Sequence, residues 1–234
     1  MRMSVFLLVH SPSVGPSTWQ PVAGQLRAAG HHAVVPSLLA VGDGDPPYWP
    51  NVPAAVRDGV AGLDPGQPVV LVVHSNAGLF APVIARDLGV PVACTIFADA
   101  SIPPAAGDAE VAESEFVPFL RELAGTDGRL PQWTRWWGEE DVAALLPEAR
   151  MREVVTAEQP TLPLAYYLER IPVPHGWAER PCGYLLFSAA YEGQADQARS
   201  RGWPVRTVPG EHLHQVVDPA AVSEALLDLA GRIS

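Results

Sequence analysis

Short apolar runs alternate with stretches of helical spacing along the first hundred residues. Val5-Phe6-Leu7-Leu8-Val9, His32-Ala33-Val34-Val35-Pro36, Val69-Val70-Leu71-Val72-Val73 and Val92-Ala93-Cys94-Thr95-Ile96-Phe97-Ala98 are nearly uninterrupted apolar segments, the signature of strands buried on both faces. Between the first two, Trp19, Val22, Ala23 and Leu26 recur at helical spacing within Thr18 to Ala29, and Gly30 ends the stretch. Val52 to Leu63 and Leu79 to Leu88 read as helices in the same way, the second closed by Gly89. Strands alternating with helices of this length predict parallel pairing through right-handed crossovers, with helices covering both faces of the sheet.

The alternation stops near Ser101. From there to Glu179 no strong strand pattern is present, and helical spacing is found at Phe116 to Leu123, Trp133 to Trp137, Val142 to Leu146 and Leu162 to Arg170. Prolines at 118, 131, 147, 160, 163, 172 and 174 cut this segment up. The α/β pattern then resumes with a fifth strand at Tyr184 to Ala190, a helix at Gln194 to Arg201, a sixth strand at Val205 to Val208 and a closing helix at Pro219 to Leu229, capped by Asp218. The expected architecture is an α/β core of about six strands made of residues 1–100 and 180–234. Residues 101–179 form a helical lid inserted before the fifth strand, over the carboxyl ends where such sheets bind ligands.

Composition narrows the function. The chain has 234 residues, is 48% apolar and carries a net charge of −11, so it is long enough for a substantial core and has no basic footprint for nucleic acid or an anionic membrane surface. All 15 basic residues are Arg, which excludes lysine Schiff-base chemistry and a P-loop lysine. Cys94 and Cys182 sit in or beside strand patterns and read as buried thiols; no Cys/His spacing suggests a metal, and no cofactor is called for. The apolar run after Met1-Arg2-Met3 is too short for a signal-peptide core, so a cytoplasmic location is expected, with oligomeric state open.

The chemistry centres on Ser75. It follows the strand ending at Val73 and precedes the helix beginning near Leu79, where a sharp turn holds a hydroxyl out and helix N–H groups point at what it attacks. The five positions Val73-His74-Ser75-Asn76-Ala77 match the nucleophile elbow G-x-S-x-G loosely, with Val in the first place; an N-cap role is the alternative for Ser75. His212 lies in a loop after the last strand, and acidic residues end strands between the two.

This order of serine, acid and histidine resembles that of the α/β-hydrolase superfamily. Val5 to His10, with Trp19 nine residues beyond His10, is similar to that family's first strand and His-Gly loop. Gly210-Glu211-His212-Leu213-His214 with Pro219 resembles its catalytic-histidine loop, the histidine standing seven residues before the proline. Opening directly on the His10 strand, the sequence is similar to the compact branch containing small methylesterases and hydroxynitrile lyases. The resemblance implies Ser75 as nucleophile, His212 as base, and a carboxylate to orient the imidazole. Glu192, after the fifth strand, stands where the family's acid usually does; Asp99 at the end of the fourth strand is the alternative, with Asp196 behind.

The resemblance also implies an oxyanion site. One donor is the N–H of Asn76, but the residue that ordinarily supplies the other is Pro12, which has none. The N–H of Ser13, or the hydroxyl of Ser11 or Ser13, is left to replace it. His10 and His74 flank the site in roles of packing and hydrogen bonding, while His214 either lines the pocket or lies in a surface loop. Trp133, Trp136 and Trp137 share a face at helical spacing, and with Phe116, Phe119, Tyr166, Tyr167 and Trp177 they are expected to form chiefly the lid's own core; Trp133 and Trp137 are the candidates for an apolar substrate pocket. The expected activity is cofactor-independent serine hydrolysis of a small, mostly apolar carboxylic ester. A lyase, cyclase or isomerase using His212 as base, and a binding protein without turnover, are the alternatives.

Overall fold

The computed structural model describes residues 3–233. Eight strands follow in chain order: β1 (Val5–Val9), β2 (His32–Val34), β3 (Val69–Ser75), β4 (Val92–Ala100), β5 (Gly107–Glu110), β6 (Arg170–Val173), β7 (Cys182–Leu186) and β8 (Val205–Thr207). Six of them form one sheet in the order β2-β1-β3-β4-β7-β8, every neighbouring pair parallel. The helices are α1 (Gln20–Ala28), α2 (Asn51–Gly59), α3 (Ala81–Asp87), α4 (Val117–Leu123), α5 (Glu139–Leu145), α6 (Ala149–Glu158), α7 (Leu164–Tyr167), α8 (Glu192–Ser200), α9 (His214–Val217) and α10 (Pro219–Ile233).

Side-chain alternation along the strands builds two apolar layers. Phe6 and Leu8 of β1 face Val22 and Leu26 of α1 and Leu226 and Leu229 of α10. Val5, Leu7 and Val9 face the other way, in a cluster with Val52 and Val56 of α2, Val83 and Ile84 of α3, and Ala195 and Ala198 of α8. The strand runs are continuously apolar because both faces are covered. Each fully buried Val, Leu or Phe here stabilises the fold by about 1.5–3 kcal/mol relative to exposure. The six strands of this sheet are those the sequence pattern predicts, within a few residues. Among the described residues no helix is long and apolar enough to cross a membrane.

Residues 101–181 join β4 to β7, which are neighbours in the sheet. Two expectations for this segment are corrected. It does contain strands: β5 and β6 pair antiparallel, Gly107 opposite Val173 and Glu110 opposite Arg170. One reads Gly-Asp-Ala-Glu, and the other, although Ile171 and Val173 alternate inward, is only four residues long and contains Pro172, so local sequence carries little strand signal. Pairing at β6 also shortens the helix expected over Leu162 to Arg170 to the four residues of α7. Nor is the apolar core of the segment its own: Leu120, Leu130, Leu162, Tyr166, Ile171 and Trp177 join the same cluster as Phe80, Val83 and Phe97 of the sheet side. The helix α6, which buries only Val155, has no apolar stripe to announce it.

Candidate active site

Three strand ends meet at one point on the carboxyl edge of the sheet. At the end of β3, Ser75 has φ 58° and ψ −132°, a strained backbone for a residue with a side chain. A 3-10 turn over Asn76–Phe80 follows at once and leads into α3, so the chain reverses sharply and Ser75 Oγ is held out from the turn. The reversal depends on Gly78: a Cβ there would lie 2.2 Å from the carbonyl oxygen of Ser101. The Ser101 N–H in turn donates to the Ser75 carbonyl at 3.2 Å, tying the elbow to the end of β4.

β4 supplies the carboxylate through a register break. His74 pairs with Ala98 and Ser75 with Ala100, so Asp99 is the extra residue, and its φ is 43°. A bulge of this kind re-aims one side chain. Asp99 is fully buried and accepts four hydrogen bonds: its Oδ1 from the N–H of Phe187 (2.9 Å) and of Ser188 (3.0 Å), its Oδ2 from Ser188 Oγ (2.6 Å) and His212 Nδ1 (2.8 Å). Burial alone would raise the carboxyl pKa; the hydrogen bond and charge of His212 and the Ser188 donors outweigh it and hold the group below the usual carboxylate range. An ionised carboxylate only accepts, so Nδ1 carries the imidazole proton. His212 Nε2 is then the acceptor facing Ser75 Oγ, 2.9 Å away.

Two rings flank that imidazole. Tyr191 stacks on it with parallel planes and centroids 4.7 Å apart, and its hydroxyl reaches 3.5 Å from Ser75 Oγ. Burial pushes the Tyr191 phenol up to about 12, the hydrogen bond with Ser75 acting the other way, so it stays protonated. The His74 ring lies 4.6 Å from the His212 ring, and His74 Nε2–H donates to the His212 carbonyl at 2.9 Å. Burial, reinforced by the charge of His212, lowers the His74 pKa to about 3, so it is a neutral support. His10 is similar: burial lowers it to about 4, its Nδ1–H donates to the Ser11 carbonyl (2.8 Å), and its Nε2 accepts from the Leu38 N–H (3.1 Å). It fixes the start of the loop carrying Pro12.

A cavity of about 250 Å³ opens beside Ser75 and His212. Ser11, Ser13, Asn76 and Trp133 line it, as do Trp136, Phe116, Tyr167 and Glu113. Ser13 is occupied on both sides: its N–H points at Ser11 Oγ (3.4 Å) and its hydroxyl shares a hydrogen bond with Tyr167 (2.8 Å). The Asn76 side chain is clamped between the Tyr166 hydroxyl (2.9 Å) and the Val111 carbonyl (2.8 Å), which anchors the elbow to the segment beyond β4.

Four candidate residues fall elsewhere. Glu192, expected beside His212, opens α8 and pairs with Arg199 at 2.8 Å on the surface; Asp196 pairs with the same arginine at 2.6 Å. The reason is local. A 3-10 turn over Ala189–Tyr191 follows β7 and directs Tyr191 at the imidazole, which carries the next residue away. His214 does not line the cavity; it opens α9, 6.0 Å from the Phe187 ring and packed against Gly210. Trp137 is 39% exposed and stacks on Phe119 outside the cavity, and Trp136 takes the place expected for it. Sequence reading missed Ser188 and Tyr191. Their only signal is position, in the turn directly after the fifth strand.

Cys94 and Cys182 are buried and free, and burial pushes their thiols up to about 11 and about 12, so neither is a thiolate at neutral pH.

A strand-borne serine, a buried carboxylate and a loop histidine in this topology define an α/β hydrolase. Residues 6–225 match the alpha/beta hydrolase family, and the chain belongs to it. A probable esterase of rice, PIR7A, is 31% identical over 122 residues; the match takes in 50% of this chain, which spans about half the length of the curated relatives it matches (46%). Among solved structures, an extracellular α/β-hydrolase from a Paenibacillus species, described as sharing homology with tobacco salicylic acid binding protein 2, superposes with TM-score 0.76 at 17% identity, covering 98% of this chain and 99% of the other. Tomato methylketone synthase I superposes with TM-score 0.73 at 14% identity over the full length of both chains. At these identities the structural likeness establishes the fold.

Proposed function

We propose that this chain is a serine esterase acting on a small acyl compound, with Ser75 as nucleophile, His212 as general base and Asp99 as the orienting acid. The observation that carries the proposal is the unbroken hydrogen-bonded line from Asp99 Oδ2 through His212 to Ser75 Oγ, 2.8 and 2.9 Å, with the serine on a strained turn. As Ser75 Oγ bonds to the acyl carbon, its proton passes to His212 Nε2. The imidazolium is stabilised by the Asp99 carboxylate while Nδ1 keeps its proton. His212 then gives the proton to the leaving alcohol, and water repeats the sequence to free the acid. The rice esterase relative supports the same reaction class.

Negative charge developing on the acyl oxygen is met by the N–H of Asn76 at the start of the 3-10 turn, where the first N–H groups have no partner within the turn. Pro12 has no N–H for the second place. With Ser13 occupied by Ser11 and Tyr167, the Ser11 hydroxyl is the donor left on that loop, and we assign it this role. The segment 101–179 acts as the lid, supplying Trp133, Trp136 and Phe116 to the cavity wall.

The test is hydrolysis of p-nitrophenyl acetate and butyrate with labelling by a fluorophosphonate, on the wild type beside Ser75→Ala and His212→Ala. Turnover and labelling that vanish in Ser75→Ala are expected. A wild type that neither labels nor hydrolyses refutes the esterase reading and turns attention to lyase chemistry with His212 as base.

A further inference from the structure

The cavity wall is electrically one-sided. Glu113 is the one carboxylate among its lining residues, and no Arg lines it. The chain has no Lys to supply a cation from elsewhere. Among the described residues, no basic group lies within salt-bridge distance of the Glu113 carboxylate. His74 also lines the cavity but is held neutral by burial.

Glu113 is solvent-exposed, and aromatic rings line the same cavity. The Phe116 N–H donates to the Glu113 carbonyl at 2.9 Å, which puts both on the turn entering α4. Phe116 lies 6.4 Å from Trp136, Trp136 lies 5.6 Å from Tyr167, and Trp133 lies 6.2 Å from the His212 ring. The cavity that holds Glu113 and the His212 imidazole is therefore walled in part by aromatic rings. The charge also reaches the Tyr191 hydroxyl. Behind the larger effects of burial, Ser75 and Asp99, it helps hold the Tyr191 phenol above its ordinary value, and that hydroxyl is 3.5 Å from Ser75 Oγ.

An unpaired carboxylate beside a reaction that builds negative charge on oxygen works against a neutral substrate and more strongly against an anionic one. A cation in the substrate reverses this. It neutralises Glu113 and finds ring faces suited to ammonium groups. We infer that the substrate is a small acyl compound bearing a quaternary or protonated amine, recognised by Glu113 with Phe116, Trp133 and Trp136. This rests on the esterase reading above.

Isosteric pairs test it. Acetylthiocholine against 3,3-dimethylbutyl thioacetate puts the charge in the leaving group. The p-nitrophenyl esters of 4-(trimethylammonio)butanoic and 5,5-dimethylhexanoic acids put it in the acyl part. In at least one pair the cationic ester is expected to lead in kcat/KM by about five- to tenfold, the size of one partly solvated charge contact with ring faces. Raising the salt from 10 mM to 0.3 M should shrink the lead, and Glu113→Gln should bring the ratio near unity. Equal or better turnover of the neutral ester in both pairs overturns the inference, as does a preference that survives Glu113→Gln. If no ester is turned over, the esterase reading fails by itself. The cation is then decided on Ser75→Ala by tryptophan-fluorescence titration with choline against 3,3-dimethylbutanol: tighter choline binding that is lost with Glu113→Gln upholds it, and equal binding overturns it.

Discussion

Replacing Asp99 with Asn changes one oxygen to an NH2 group and should remove most of the activity without removing the fold. The four hydrogen bonds of Asp99 set the magnitude. An Asn carbonyl can still accept from the N–H groups of Phe187 and Ser188, and its NH2 can donate to Ser188 Oγ. What it cannot do is accept from His212 Nδ1. The imidazole then moves its proton to Nε2 so that Nδ1 can accept, and Nε2–H faces Ser75 Oγ with no lone pair to take the proton. Loss of the working tautomer costs about 10³- to 10⁴-fold in kcat, or roughly 4–5.5 kcal/mol of barrier. The assay is kcat and KM with p-nitrophenyl acetate for Asp99→Asn and, beside it, Glu192→Gln, with thermal unfolding to verify that both are folded. Glu192 is bound to Arg199 on the surface, so its variant should stay within about twofold. If Asp99→Asn keeps more than a tenth of wild-type kcat while Glu192→Gln loses a hundredfold, the tautomer argument is wrong and Glu192 reaches the imidazole in solution.

Three further outcomes are expected. Tyr191→Phe keeps the ring on His212 and loses only a 3.5 Å contact, so kcat should fall by no more than about threefold, whereas Tyr191→Ala removes the stack and should cost tenfold or more; equal losses would show that the hydroxyl matters and the ring does not. Gly78→Ala drives a Cβ to 2.2 Å from the Ser101 carbonyl and should destabilise by about 1–3 kcal/mol in urea unfolding; an unchanged midpoint would mean the elbow is looser than described. His10 and His74 have pKa values lowered from 6.5 to about 4 and about 3, so below pH 6.5 the unfolded chain binds protons that the folded chain refuses. Stability contributed by both is therefore present above pH 6.5 and falls as the pH drops toward 4, with a limiting slope of about 1.4 kcal/mol per pH unit for each. A flat unfolding free energy between pH 7 and 4.5 would refute this.

The sheet was legible in the sequence because continuous apolar runs broken by helical spacing admit few other folds, and each run is decided by its own residues. The same holds for Ser75 and His212, whose places relative to strand ends are local facts. The acid is different. Asp99 and Glu192 both follow strands, and what separates them is a one-residue bulge in β4 and a 3-10 turn after β7, neither written in a local pattern. Trp133, Trp136 and Trp137 illustrate the same limit. Helical spacing puts all three on one face, but the turn is 3-10 over Trp133–Trp136, with three residues per turn, and Trp137 is extended at φ −120°. Trp136 thus enters the cavity and Trp137 leaves it. The strands β5 and β6 lie about sixty residues apart and stabilise one another only once the chain between them has folded. What the sequence alone determined was the class of fold and the places of Ser75 and His212 at strand ends, because these follow from hydrophobic period and chain order. The carboxylate, the cavity wall and the rings around the imidazole were decided by tertiary structure, because they depend on the direction in which a side chain leaves a distorted backbone.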